Sequence, residues 1–141
     1  YQKAKSISEK KKYFNYNVIG CDTLINLGDK IFDKAKNNKE ALLKIKKLSG
    51  KKHKIISSLT ICNQGSKIWE CSETTVVEIR KLTTKQIEGY LKKSGKQILQ
   101  SVGCYQLEAF GPQIIKDIKG DFFNVMGLPL FKLLKYVFNE Q

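Results

Sequence analysis

The chain has 141 residues, 41% of them hydrophobic and 28% charged, and carries a formal net charge of +13. That length and mixture fit one globular domain with a sizeable core and exclude a disordered chain. No stretch reaches the ~18 consecutive apolar residues of a membrane span, and the basic opening YQKAKSISEKKKY lacks the apolar centre of a secretory signal.

Residues 3–12 are predicted as the end of a helix, with Ala4 and Ile7 as its apolar stripe. Residues 16–20 follow as a short buried strand that ends at VIGCDT. There two β-branched residues run into Gly20, Cys21 and a lone carboxylate, Asp22. A carboxylate just past a strand end sits where open α/β sheets place their ligand crevice; an ordinary turn residue is the plainer alternative. INLGDKIFDK reads as a hairpin with Gly28-Asp29 at its turn. Helix 38–48 carries Ala41, Leu42, Ile45 and Leu48 on one face, and Gly50 stops it.

Three antiparallel strands are predicted next: HKIISSLTIC, then KIWEC after a turn over 63–66, then TTVVEIRKL. The last alternates, with Thr75, Val77 and Ile79 on one face and Val76, Glu78 and Arg80 on the other. TTKQIEGYLKK opens with Thr83 and Gln86 at capping-box spacing, which predicts a helix to about Lys93. SVGCYQLEAFG is a looser stretch in which Gln106 and Glu108 share one face of an extended segment between Gly103 and Gly111. QIIKDI is a short strand. Pro129 opens a terminal helix whose buried stripe is Leu130, Leu133, Leu134, Val137 and Phe138. The order α-β-β-α-β-β-β-α-β-α is that of a mixed α/β domain.

Nearly all of the positive charge is lysine, with Arg80 the one arginine, whereas base-edge and phosphate-fork recognition favours arginine. Solvated lysine faces and a phosphate-binding cleft therefore explain the charge better than a specific nucleic-acid surface. Cys21, Cys62, Cys71 and Cys104 form no CxxC pair, and His53 is the one histidine, so a Cys/His zinc site is not expected. A reducing cytoplasm suits such cysteines.

Four places depart from a plain core: Asp22-Thr23, Lys34 beyond the returning strand, Gln106 with Glu108, and Asp121 with Asn124 in GDFFNVMGLP. Each has a bland reading as a solvated or turn residue. Together, two carboxylates, a lysine and glycine-containing loops suit phosphoanhydride chemistry. Carboxylates hold Mg²⁺ or Mn²⁺, the lysine neutralises phosphate charge, and a carboxylate activates water. The chain has no P-loop and no G-x-S-x-G.

VIGCDT, FDKA, EALLKIKKLSGKKHKI, SVGCYQLEAFG and IKGDFFNVMGLPL, in that order, resemble the Maf family of nucleotide pyrophosphatases, the septum formation inhibitor proteins. The resemblance implies an elongated mixed sheet with flanking helices and a central cleft, like that of the inosine triphosphate pyrophosphatases. It implies hydrolysis of a nucleoside triphosphate to monophosphate and pyrophosphate with a divalent metal. Asp22 matches the family's proton-accepting aspartate, and Lys34 the lysine of its GKP segment, although Ala35 replaces the proline. Thr23 and Glu108 match positions tied to substrate choice, with Gln106 beside them. Asp22 and Glu108 are the expected metal ligands, and His53 is expected to be structural.

Thr23 resembles the dTTP/UTP subgroup and Glu108 the 7-methyl-GTP subgroup, so the substrate stays open. The family's S-x-S-P-R-R loop has no counterpart in these residues. The expectation is therefore a single Maf-like domain over 1–141, incomplete at its N-terminus and poorly active, either a fragment or a degenerate relative. A nucleoside triphosphate is the expected partner, without a specific nucleic acid or a membrane, and a homodimer is the assembly to test. The alternative from another class is a non-catalytic nucleotide- or nucleic-acid-binding protein derived from the same fold.

Overall fold

In the computed structural model, which describes residues 1–139, strands β3 (Lys52–Asn63) and β4 (Ser66–Ile79) make a long antiparallel ribbon at the centre. β1 (Val18–Leu27) pairs along β3, β2 (Lys30–Phe32) turns back on the end of β1, and β5 (Ile115–Lys119) pairs with β4. The sheet order is β2-β1-β3-β4-β5, and these pairings are all antiparallel. Helices α1 (Gln2–Ser8), α2 (Asn38–Leu48), α3 (Thr84–Ser94), α4 (Phe122–Val125) and α5 (Leu130–Val137) flank it, which gives the expected α/β fold with a sheet between helices.

Side-chain alternation decides which helix covers what. Ile55 on β3 and Val77 and Ile79 on β4 face Ala41, Ile45 and Leu48 of α2 and Ile87 and Leu91 of α3 in the main core. Farther along the sheet, Leu59 and Ile61 pack under Leu133 of α5. α1 crosses β1 where Gly20 leaves room: a Cβ there would stand 2.9 Å from the Ala4 Cβ and 3.0 Å from the Ala4 nitrogen. Both long helices start where the sequence places them. The Asn37 side chain accepts from the Glu40 N–H at 2.9 Å, and Thr83 and Gln86 form a reciprocal capping box.

Four expectations need correcting. The strand expected over 16–20 runs on to Leu27, because β1 keeps unbroken register with β3 from Val18 opposite Cys62 to Asn26 opposite Lys54. The two strands expected over 67–71 and 74–82 are one, β4, since Ser72 and Glu73 stay paired with Ser58 and Ser57 and no glycine or proline interrupts them. The first helix ends at Ser8 and gives way to a 3₁₀ turn over Lys11–Tyr13.

The terminal helix is the fourth. It opens at Pro129 as expected, the N-cap of α5, with the short α4 before it, but its buried stripe is different. Only Leu133 of α5 is buried, while Leu134, Val137 and Phe138 are exposed. The helix is turned by Tyr136 stacking on Trp69, with ring centroids 4.7 Å apart, and by Lys132 reaching Glu73 at 3.0 Å.

Candidate active site

β2 pairs with β1 only from Ile25 to Leu27, so among the described residues the outer edge of β1 before Ile25 has no strand beside it. A cleft of about 430 Å³ is lined there by Cys21, Asp22 and Thr23. Lys34 from the segment after β2, Gln106 and Glu108 from the loop after α3, Lys3 of α1, and Val125 to Gly127 line it as well. Asp22, Thr23, Lys34, Gln106 and Glu108, drawn from three separate segments, therefore share one cleft. Asp22 is not beyond a strand end. It stands in mid-strand opposite Ser58, reachable because the neighbouring strand stops short.

Lys3 Nζ donates to Asp22 Oδ1 at 2.6 Å, and both side chains are well exposed. The lysine hydrogen bond holds the Asp22 carboxyl below its ordinary range. On the adjacent position, the Thr23 hydroxyl is 2.9 Å from the Ser57 hydroxyl, which fixes its rotamer. The Cys21 thiol donates to the Gly127 carbonyl at 3.2 Å, and burial pushes its pKa up. Lys34 makes no ion pair among the described residues.

Gln106 and Glu108 lie on a turn rather than an extended segment. The Gln106 carbonyl accepts from Ala109 N–H at 3.2 Å and Gly111 N–H at 2.8 Å. A Cβ on residue 111 would come within 2.4 Å of that carbonyl oxygen, so the turn needs glycine there. Tyr105, which also lines the cleft, anchors the loop: its hydroxyl is 2.6 Å from His53 Nε2 in a buried pair. Desolvation lowers the His53 pKa to about 4 and raises that of Tyr105. His53 is thus a packing residue away from the cleft wall.

Asp121 and Asn124 do not line the cleft; they hold the strip that does. The Asp121 carboxylate caps α4, accepting from Phe123 N–H at 2.8 Å. The fully buried Asn124 amide reaches the Ile55 carbonyl at 3.3 Å, the Glu73 carbonyl at 3.4 Å and the Thr75 hydroxyl at 3.1 Å. It thereby ties residues 125–127 to β3 and β4. Sequence reasoning missed Lys3, Ser101 and Tyr105 as wall residues. For Lys3 the available signal was Gly20, whose missing side chain admits α1; one lysine among so many carries none of its own.

Among the described residues, no three His, Cys, Asp or Glu side chains gather as a protein-only metal cage. Two carboxylates, Asp22 and Glu108, line the cleft. A pair of hard oxygen donors that leaves positions for phosphate oxygens and water is the donor set Mg²⁺ takes in nucleotide sites, and Mn²⁺ shares the preference. The described helices include none long and apolar enough to cross a membrane.

The family model for Maf-like protein matches residues 1–139. The chain is 39% identical over 132 residues to a 7-methyl-GTP pyrophosphatase of Bartonella quintana, covering 94% of this chain and 66% of that protein. It is 40% identical over 120 residues to a nucleoside triphosphate pyrophosphatase of Hyphomonas neptunium, covering 85% and 61%. A nucleoside triphosphate pyrophosphatase of Pelagibacter ubique is 36% identical over 135 residues, covering 96% and 68%. The chain thus spans about two thirds of the length of these curated relatives.

Proposed function

This chain belongs to the Maf family, and we propose that it hydrolyses nucleoside triphosphates to the monophosphate and pyrophosphate. The observation that carries the reading is the convergence of Asp22, Thr23, Lys34, Gln106 and Glu108 on one cleft. In the proposed reaction a water oxygen attacks the α-phosphorus, the α–β anhydride bond breaks, and pyrophosphate leaves with the bonding electrons. Asp22 accepts the water proton. Lys34 neutralises charge that grows on the leaving group. Asp22 and Glu108 would hold Mg²⁺ or Mn²⁺, which supplies charge neutralisation across the phosphates.

Lys3 adds a substrate-linked step. While its ammonium sits on Asp22, the carboxylate is a weakened base. An incoming phosphate competes for the same ammonium, and Asp22 regains basicity as the site fills. Thr23, Gln106 and Glu108 select the base.

The relatives' names divide between 7-methyl-GTP and nucleoside triphosphates at large, so both belong in the substrate panel. With this activity we propose a cytoplasmic homodimer that has no specific nucleic-acid partner. The test is pyrophosphate release from that panel with Mg²⁺ or Mn²⁺, for the wild type and Asp22→Asn. Release by the wild type that the variant loses supports the enzyme. Nucleotide binding by both with release by neither overturns it in favour of the non-catalytic reading.

A further inference from the structure

Lys34 faces two cavities. One is the cleft; the other is a groove of about 480 Å³ between β2 and α2, whose charged lining is Lys30, Lys34, Lys36, Lys44 and Lys47 with Asp33 and Glu40. Five ammonium groups meet two carboxylates there, whereas the cleft itself has Lys3 and Lys34 against Asp22 and Glu108. None of the five lysines makes an ion pair among the described residues, although six lysines elsewhere do. Glu40 is committed to the backbone, accepting from the Lys36 N–H at 2.9 Å. Lysines at 44 and 47 are one turn apart on α2, so they project on the same side of the helix.

Like charges gathered around one concavity repel each other, and a polyanion relieves that repulsion. From this groove and its shared lysine, and resting on the reading of the cleft as a triphosphate site, we propose that the groove is a subsite for phosphates beyond the third. Nucleoside tetraphosphates and longer nucleoside polyphosphates are then the class this chain prefers. The chemistry at the α-phosphorus is unchanged: water adds across the α–β bond, Asp22 takes its proton, and the leaving group is tripolyphosphate in place of pyrophosphate. Lys34 meets the leaving phosphates at the cleft, and Lys36, Lys44 and Lys47 receive the end of the chain.

The experiment measures dissociation constants of a nucleoside triphosphate and the matching tetraphosphate. They are taken by calorimetry in the Asp22→Asn background, whose turnover is slowed by about 10²- to 10⁴-fold. The expected result is about tenfold tighter binding of the tetraphosphate, the scale of one added charge-assisted contact. Added Lys44→Gln and Lys47→Gln substitutions remove that preference and leave triphosphate affinity within about twofold, because neither lysine lines the cleft. Lys85→Gln with Lys92→Gln on α3 removes the same net charge and keeps the preference.

Equal affinities for the two nucleotides, or equal effects of the two double variants, overturn the subsite. Failure of the wild type to release pyrophosphate while the tetraphosphate preference holds overturns the enzyme reading instead. The two failures are therefore distinguishable.

Discussion

The His53 imidazole and the Tyr105 hydroxyl meet at 2.6 Å inside the core, and the other imidazole nitrogen, Nδ1, has no hydrogen-bond partner among the described residues. That one contact ties the start of β3 to the loop that carries Gln106 and Glu108. Tyr105→Phe removes the one hydrogen-bond partner that the buried ring has among the described residues, which costs about 1–3 kcal/mol in stability. It also frees the loop, so KM for nucleotide rises more than kcat falls. Thermal unfolding and steady-state kinetics on the same preparation check both. An unchanged melting temperature together with unchanged KM would remove the anchor role.

His53 also predicts a pH dependence. Its pKa falls from 6.5 to about 4 on folding because burial disfavours the charged ring. As pH drops below the unfolded value the unfolded chain takes up a proton that the folded chain refuses, so stability is lost between 6.5 and about 4. The gap corresponds to about 3 kcal/mol at the acid end of that window. Urea midpoints at pH 7 and pH 4.5 should separate more for the wild type than for His53→Asn, and parallel shifts would rule the mechanism out.

The long elements were legible because their signals are local. The capping box at Thr83, the start of α2 at residue 38, the stripe Ala41, Ile45 and Leu48, and the alternation Thr75, Val77 and Ile79 all appear as read. The cleft residues were legible through the family resemblance, and most of their placement depends on long-range pairing that no window contains. Asp22 looked like a strand terminus because Gly-Cys-Asp-Thr is small and polar, yet β3 supplies partners all the way along. The face of α5 was misread for a similar reason. Its helix carries apolar residues around much of its girth, and Trp69 and Glu73 on β4 choose the side. Lys3 was invisible because its role depends on a contact with a residue 19 positions away.

Asp22→Asn keeps shape and loses the proton acceptor. Its side chain is 77% exposed, so folding should be unaffected, and the melting temperature should stay within about a degree of the wild type. Turnover of the nucleoside triphosphate falls by about 10²- to 10⁴-fold, the range for removing a general base. Turnover within a few-fold of the wild type would take Asp22 out of that role.

Lys3→Met tests the ion pair at Asp22. The lysine lowers the Asp22 pKa, so its removal moves that pKa back up towards the ordinary carboxylate value. The acid limb of the kcat/KM–pH profile, which follows the ionised base of the free enzyme, then moves to higher pH. KM rises as well, because one of the two cleft lysines is gone. An acid limb that stays in place while KM rises would leave Lys3 as a phosphate contact and nothing more.

Gly20→Ala reaches the same ion pair without touching either charge. The added methyl would lie 2.9 Å from the Ala4 Cβ and 3.0 Å from the Ala4 nitrogen, both closer than van der Waals contact allows. The backbone of α1 cannot yield there as a long side chain would, so the helix must lift from β1. Overpacking of this kind costs about 1–3 kcal/mol. As α1 lifts, Lys3 leaves Asp22, and the acid limb should shift in the same direction as in Lys3→Met. Lys3→Met itself leaves the fold intact, since both partners are exposed and surface pairs contribute little. Gly20→Ala alone should therefore combine a lower melting temperature with the altered pH profile. A lower melting temperature with an unmoved pH profile would show that α1 holds Lys3 in place by some contact other than its seat on Gly20.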